Sequence, residues 1–269
     1  MIIWLASYPK SGNTWIRAIL STYLNLNNNN PFESMKAIER FPNINQFKDI
    51  VNINELIKNQ LEICKHWITA QEIINLKQET TFLKTHNVCG IINQYQFTNS
   101  KNTSGLIYIV RDPRSVAVSY AYHNNINFDK AIDKLINQNM VGHNSKYITE
   151  FRASWRIHYL SWEKSLYPKI IIKYEDLHSD TNINFLKVLN FIKKFKNIEI
   201  NEKKIKDAIS NCQFKELSKL EKSVGFNEKE NGFFFRSGKT DEWKIKLDKQ
   251  QIKKIESAFF SEMKELKYL

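Results

Sequence analysis

The chain has 269 residues, 42% hydrophobic and 25% charged, with a mean hydropathy of -0.47, which suits a single globular domain over 1–269. No apolar run approaches the roughly 20 residues that cross a bilayer, so no transmembrane segment is expected. A formal charge of +12 points to an anionic partner: nucleic acid, a membrane surface or a heavily phosphorylated small molecule.

Met1 leads straight into an apolar run, with neither a basic leader nor a small-residue cleavage site. Cys64, Cys89 and Cys212 are scattered and lack metal-ligand spacing, so a reducing cytoplasm is expected. Residues 1–6 read as a short strand, followed by a Ser-Tyr-Pro-Lys-Ser-Gly turn. Trp15, Ala18, Ile19 and Tyr23 then recur at helical spacing over 14–24. The Asn-rich stretch 25–31 reads as a surface loop opening an insertion that reaches to about residue 47. Helical patterning returns at 54–65 and 69–76. Two β-rich runs, 80–84 and 105–110, each end at polar residues that could carry chemistry. Pro113 suits the first turn of a helix capped by Asp112 and continued through 116–122. A long helix is predicted from about 147 to 165, then a strand over 169–174 and helices near 181–194 and 202–211. The Lys-rich stretches 203–206 and 244–254 read as solvated helix faces.

Strands alternating with helices predict an α/β fold of three layers, a central parallel β-sheet flanked by helices, with ligands beyond the carboxyl ends of the strands. Residues 7–14 partly match the phosphate loop G-x-x-x-x-G-K-[ST] and so suggest a P-loop nucleotide-hydrolase-like member of that class. Gly12 and Thr14 fit; Ser7 stands for the first Gly, Asn13 for the Lys, and the cation has moved to Lys10. Unpaired N–H groups at the helix start still favour an anion. Phosphoryl transfer usually needs the Lys beside the Ser/Thr and a magnesium ion, so the displaced cation suits a donor whose labile group lies elsewhere.

The segment Tyr8-Pro9-Lys10-Ser11-Gly12-Asn13-Thr14-Trp15 resembles the Y-P-K-S-G-T-T-W loop of the cytosolic-type sulfotransferases that use 3'-phosphoadenosine 5'-phosphosulfate (PAPS). The resemblance implies that Lys10 bonds the bridging and leaving oxygens. It also implies that Thr14 and the backbone amides of Ser11, Gly12 and Asn13 hold the 5'-phosphate, and that Trp15 stacks on adenine. At Asn13 an amide side chain replaces a hydroxyl contact.

Residues 107–120 resemble the family's 3'-phosphate motif, which assigns Arg111 and Ser119 to that phosphate. An alternative reading has Arg111 paired with Asp112 or another carboxylate. The Lys84-Thr85-His86 sequence resembles the family's K-T-H and implies His86 as general base with Lys84 near the sulfuryl group. Tyr174, in a Y-E-D-L match, is implied to face adenine. Arg236, Ser237 and Gly238 resemble the R-K-G that closes over the 3'-phosphate, although the family's Lys is here Ser237. Cys212 stands where the family has a hydroxyl residue and is left out of the site.

The resemblance implies in-line transfer from PAPS to a hydroxyl or amine, yielding 3',5'-adenosine bisphosphate (PAP) and requiring no metal. The expected partner is a small-molecule or glycan acceptor, and no nucleic-acid module is recognisable. The acceptor walls are expected from 25–47, 88–102 and 124–146, with His123 and His143 the other histidines nearest the acceptor. The K-x-x-x-T-V-x-x-x-E dimer motif is absent after Trp243, so that dimer is not implied. A P-loop kinase using ATP and magnesium is the rival; it predicts a Lys at position 13, and Asp112 and Asp176 are only loose candidates for its metal.

Overall fold

Along β1 (Ile2–Ser7) successive side chains point to opposite sides of the sheet. Ile2, Trp4 and Ala6 enter one apolar core while Ile3 and Leu5 enter the other. The same alternation divides Leu106, Tyr108 and Val110 from Ile107 and Ile109. A sheet buried on both faces needs apolar residues at nearly every position, and these runs supply them. The computed structural model describes residues 1–24, 30–137, 149–226, 228 and 232–269, and the strand runs all fall within them.

The other strands are β2 (Glu39–Arg40), β3 (Thr81–Thr85), β4 (Ile91–Ile92), β5 (Tyr95–Gln96), β6 (Thr103–Val110) and β7 (Lys169–Lys173). Five form one sheet in the order β2-β3-β1-β6-β7, with every pairing parallel. Ala6 pairs with both Thr85 and Tyr108, Arg40 with Lys84, and Val110 with Lys173. The carboxyl ends of all five strands therefore share one edge. One core packs the helices Asn13–Leu24, Thr181–Ile192 and Glu202–Asn211 on one face; the other packs Pro113–Asn124 and Trp155–Glu163 opposite. This is the three-layer α/β arrangement that the strand and helix alternation predicts.

Three local expectations are corrected. The supposed insertion up to residue 47 contains β2, too short to show periodicity, which Phe41 extends by donating to the Lys84 carbonyl at 2.8 Å. The helix expected over 54–65 is a short α-helix, Ile53–Lys58, followed by a 3₁₀ helix, Gln60–His66. The helix expected from 147 begins at Trp155, where the Ser154 side chain accepts from the Ile157 amide. Residues 149–153 precede it without helical structure, ending at Ala153 with φ of 54°; residues 147 and 148 lie outside the described residues.

The Asp112 cap is as expected, its carboxylate accepting from the Arg114 amide at 2.9 Å. Arg114 also donates to the Tyr268 carbonyl at 2.9 Å, and its guanidinium lies 3.8 Å over the Trp243 ring. Lys173 donates to the Leu266 carbonyl at 2.8 Å. The Tyr268 hydroxyl bonds Glu175 at 2.9 Å, and Glu175 in turn accepts from the Asp112 amide at 3.1 Å. The C-terminal residues are thus fastened beneath the exits of β6 and β7.

Candidate active site

Beyond β1 the chain turns sharply before the helix Asn13–Leu24. Lys10 has φ of 67° and Gly12 of 103°; the first is an uncommon left-handed conformation for a side-chain-bearing residue, of the kind that collects at functional sites. Gly12 is required sterically as well, because a Cβ there would stand 2.4 Å from Tyr174 Cδ2. Beyond the strand ends lies a cavity of about 470 Å³. All the side chains singled out from the sequence except Ser11 line it: Lys10, Gly12, Asn13, Thr14, Trp15, Lys84, His86, Arg111, Ser119, Tyr174, Arg236, Ser237 and Gly238.

At one end Trp15 and Tyr174 meet edge to face, centroids 5.8 Å apart, and Trp15 Nε1 donates to the Cys212 carbonyl. His178 and Phe214 complete these walls. In the middle, Arg111 is not paired with Asp112, whose carboxylate is held by Arg114. Arg111 donates instead to the Lys10 carbonyl at 3.1 Å and the Lys239 carbonyl at 2.8 Å, its face 4.3 Å from the Tyr174 ring centroid. It therefore ties the phosphate loop to the segment near Gly238. Arg236 is engaged by Glu242 through two donors and lies 3.9 Å over the Tyr122 ring.

Asn13 is held by the strand: its side-chain amide donates to the Leu5 carbonyl at 3.0 Å, back into β1. The helix entry is thereby pinned to the strand.

At the other end, the ring of His86 reaches from the exit of β3 to that of β1. Its Nδ1 lies 2.7 Å from the Ser7 carbonyl oxygen. A carbonyl can only accept, so Nδ1 carries the proton and Nε2 is left with a lone pair. Burial, then the neighbouring Lys84, lowers the His86 pKa well below its ordinary 6.5, which keeps the ring neutral. Burial also lowers Lys84 to about 8, against the opposing pull of Glu228. Next to His86, the buried Glu150 carboxylate receives Arg40 at 2.6 Å and Arg152 at 2.7 Å. These guanidinium groups overcome the effect of burial and hold its carboxyl well below the usual range.

Two observations fit an anionic donor along the phosphate loop. Ser11 Oγ and Arg111 Nε are buried without a hydrogen-bond partner. An anion already sits at the helix mouth: Glu228 accepts from Thr14 at 3.3 Å and Lys84 at 2.9 Å, and pairs with Arg17 at 2.7 Å. One hydroxyl and two cations are the kinds of donor that phosphate and sulfuryl oxygens accept from.

Sequence reasoning missed Arg17, Glu228, Arg40 and Arg152: Arg17 and Glu228 pair across 211 positions and Arg40 reaches Glu150 across 110, while Arg152 pairs locally with Glu150 in a segment that carries no recognisable motif. It also missed Phe234, whose ring centroid lies 4.0 Å from Lys10 Nζ. His123 lines the cavity as expected; His143 lies outside the described residues. Of the expected acceptor walls, Pro42 and Ile44 are present, as is Asn124. The stretch 88–102 is a correction: among the described residues it contributes nothing to this cavity. It folds back as the β4–β5 hairpin, with Phe97 donating to the Gly90 carbonyl.

A family model described as "Sulfotransferase domain" matches residues 2–267. The chain is 25% identical over 277 residues to "Luciferin sulfotransferase" of Photinus pyralis, covering 94% of this chain and 69% of that one. It is 27% identical over 261 residues to "Cytosolic sulfotransferase 15" of Arabidopsis thaliana, covering 93% and 68%. Among solved structures, retinol dehydratase in complex with androsterone and inactive cofactor PAP superposes with a TM-score of 0.62 at 18% identity, covering 98% of this chain and 80% of that one, a likeness of fold. None of these matches supports the kinase reading. Matched along nearly its whole length by that model, the chain belongs to the sulfotransferase family and is a PAPS-dependent sulfotransferase.

Proposed function

We propose that this enzyme transfers the sulfuryl group to the hydroxyl of a small-molecule acceptor held beside His86, working in the cytoplasm as one domain over 1–269. The observation that carries the proposal is the bond from His86 Nδ1 to the Ser7 carbonyl at 2.7 Å, which leaves Nε2 free to take a proton. PAPS supplies the activated sulfuryl group when bound, and PAP is the product released.

Each residue then has a distinct task. His86 Nε2 accepts the acceptor's proton, as a neutral imidazole can at neutral pH. Lys10 and Lys84 face the oxygens on which negative charge grows, and fixed cations in a site shielded from water are usually the largest electrostatic contribution to such a reaction. The backbone amides of Ser11 to Thr14, at the positive end of a helix, hold the 5'-phosphate together with the Thr14 hydroxyl. Arg111, with Ser119, Arg236 and the Ser237–Gly238 backbone, takes the 3'-phosphate; a planar guanidinium offers paired donors to a phosphomonoester. Trp15 and Tyr174 flank the adenine.

Labelled PAPS incubated with a panel of phenols, alcohols, amines and sugars tests the proposal. Transfer by the wild type that is lost in His86→Ala, with PAP binding intact, is the expected result. Full transfer by His86→Ala sinks the assigned base. Calorimetric titration with PAP against ADP plus magnesium checks the donor class separately.

A further inference from the structure

His158, on the helix Trp155–Glu163, is completely buried, and both of its ring nitrogens have partners. Nε2 lies 3.1 Å from the His86 carbonyl oxygen. Because that oxygen can only accept, Nε2 carries the proton and Nδ1 is the acceptor. Nδ1 lies 2.8 Å from the Tyr108 hydroxyl, so the phenol donates. Chemistry alone fixes every proton in the series: Tyr108 to His158, His158 to the His86 carbonyl, and the His86 ring to the Ser7 carbonyl. The Tyr8 ring packs edge-on against His158 with centroids 5.6 Å apart, so the chain of contacts returns to the phosphate loop it started beside.

We infer that the buried Tyr108–His158 pair is a positioning device, holding the peptide of His86 so that its ring stays in the Nδ1–H form with Nε2 toward the acceptor. The pair does not face the cavity and touches no substrate; it acts through His86. The surrounding loop is fastened independently. Asn87 accepts from the Phe151 amide at 2.6 Å, its carbonyl accepts from Trp162 Nε1 at 2.8 Å, and its amide donates to the Thr85 hydroxyl at 3.1 Å. The backbone around His86 is thus anchored on both sides, and the His86 carbonyl is the point at which His158 sets its orientation. Without His158 that carbonyl loses its donor, which drives the peptide to rotate toward another one.

Burial pushes the Tyr108 phenol well above its ordinary range and His158 down to about 3, so neither changes charge in the working pH range. The charged groups acting on His86 are Lys84 from β3, Arg40 from β2, and Glu150 and Arg152 from the segment before the helix. Replacing Tyr108 or His158 by an uncharged residue leaves all of them in place.

The inference rests on His86 being the base, so the decisive measurement is one that needs no acceptor. Protein labelled with ¹⁵N-histidine is compared by long-range ¹H–¹⁵N spectra for wild type, Tyr108→Phe, His158→Phe and His158→Gln, with His86→Ala assigning the His86 signals. The wild type is expected to show a single Nδ1–H form of His86 that gains its second proton only well below the ordinary imidazole range. Tyr108→Phe and His158→Phe are expected to show mixed tautomers and a His86 pKa moved toward 6.5, with PAP affinity within twofold. His158→Gln, whose amide can both donate and accept, is expected to restore much of the wild-type form. Folded Tyr108→Phe and His158→Phe proteins with unchanged His86 tautomer and titration overturn the inference. If turnover survives in His86→Ala, the base assignment fails on that result alone, while the spectra still decide what holds the ring.

Discussion

Glu228 and Lys84 form an ion pair inside the active-site cavity, with Oε2 2.9 Å from Nζ, while the other carboxylate oxygen meets Arg17 at 2.7 Å. Burial would raise the Glu228 pKa, yet Lys84 and Arg17 hold it far below the usual range, so it stays charged. Glu228 also accepts from the Thr14 hydroxyl at 3.3 Å, the group proposed above to hold the 5'-phosphate, so its charge sits where the nucleotide's would. Removing the charge with Glu228→Gln is expected to tighten PAP binding about tenfold, one charge-assisted hydrogen bond being worth about 1.5 kcal/mol. Calorimetry decides: weaker binding by the variant means that Glu228 supports the nucleotide instead of competing with it.

Arg111→Ala is expected to weaken PAP binding about 100-fold, from the loss of about 3 kcal/mol of charged hydrogen bonding. The effect on 5'-AMP, which lacks the 3'-phosphate, is expected to be much smaller. Equal losses for both nucleotides place Arg111 in holding the loop through its bonds to Lys10 and Lys239, and not on the phosphate.

Gly12→Ala brings together two costs, a φ of 103° and a methyl 2.4 Å from the Tyr174 ring. Strain of this kind is worth about 1–3 kcal/mol. Differential scanning calorimetry is expected to show a lower Tm, and PAP titration a reduced affinity as Tyr174 is displaced. A variant matching the wild type in both shows that the ring moves aside freely.

His158 gives the fold a pH dependence. Its pKa lies near 3 in the folded protein against an ordinary 6.5, so between those values the unfolded chain binds more protons than the folded one. Its contribution is complete above 6.5 and is lost as pH falls toward 3. From pH 7 to pH 5 the loss is about 2 kcal/mol. Urea unfolding at pH 7 and pH 5 is expected to give a smaller difference for His158→Gln than for the wild type. His86 and His123, also lowered mainly by burial, contribute in the same direction, so a residual slope is expected.

The donor half of the site was legible in the sequence because its parts are local. Tyr8 to Trp15 and the stretch Arg111 to Ser119 each run from a strand through a turn into a helix, and such units carry their spacing with them. Their convergence at one edge followed from the parallel sheet. The other end of the cavity was legible only in part: Pro42, Ile44, His123 and Asn124 line it as expected, but the charged cluster beside His86 gave no local signal. Arg40 and Arg152 lie 112 positions apart and meet only on the Glu150 carboxylate. β2 owes its existence to the edge of β3 and not to its own two residues. His158 sits on a helix with no local motif; its partners come from elsewhere in the chain, Tyr108 from within β6 and the His86 carbonyl from the exit of β3. Asn13 marks the opposite case, where a motif position was recognised but its side chain proved to turn toward β1.

The fastening of the tail beneath β6 and β7 couples distant parts of the molecule. Arg114 and Glu175 bind the last residues on one side and the backbone or carboxylate of Asp112 on the other, and Asp112 directly follows Arg111. Cutting the chain before Leu266 thus removes three anchors from beneath Arg111 without altering any residue that lines the cavity.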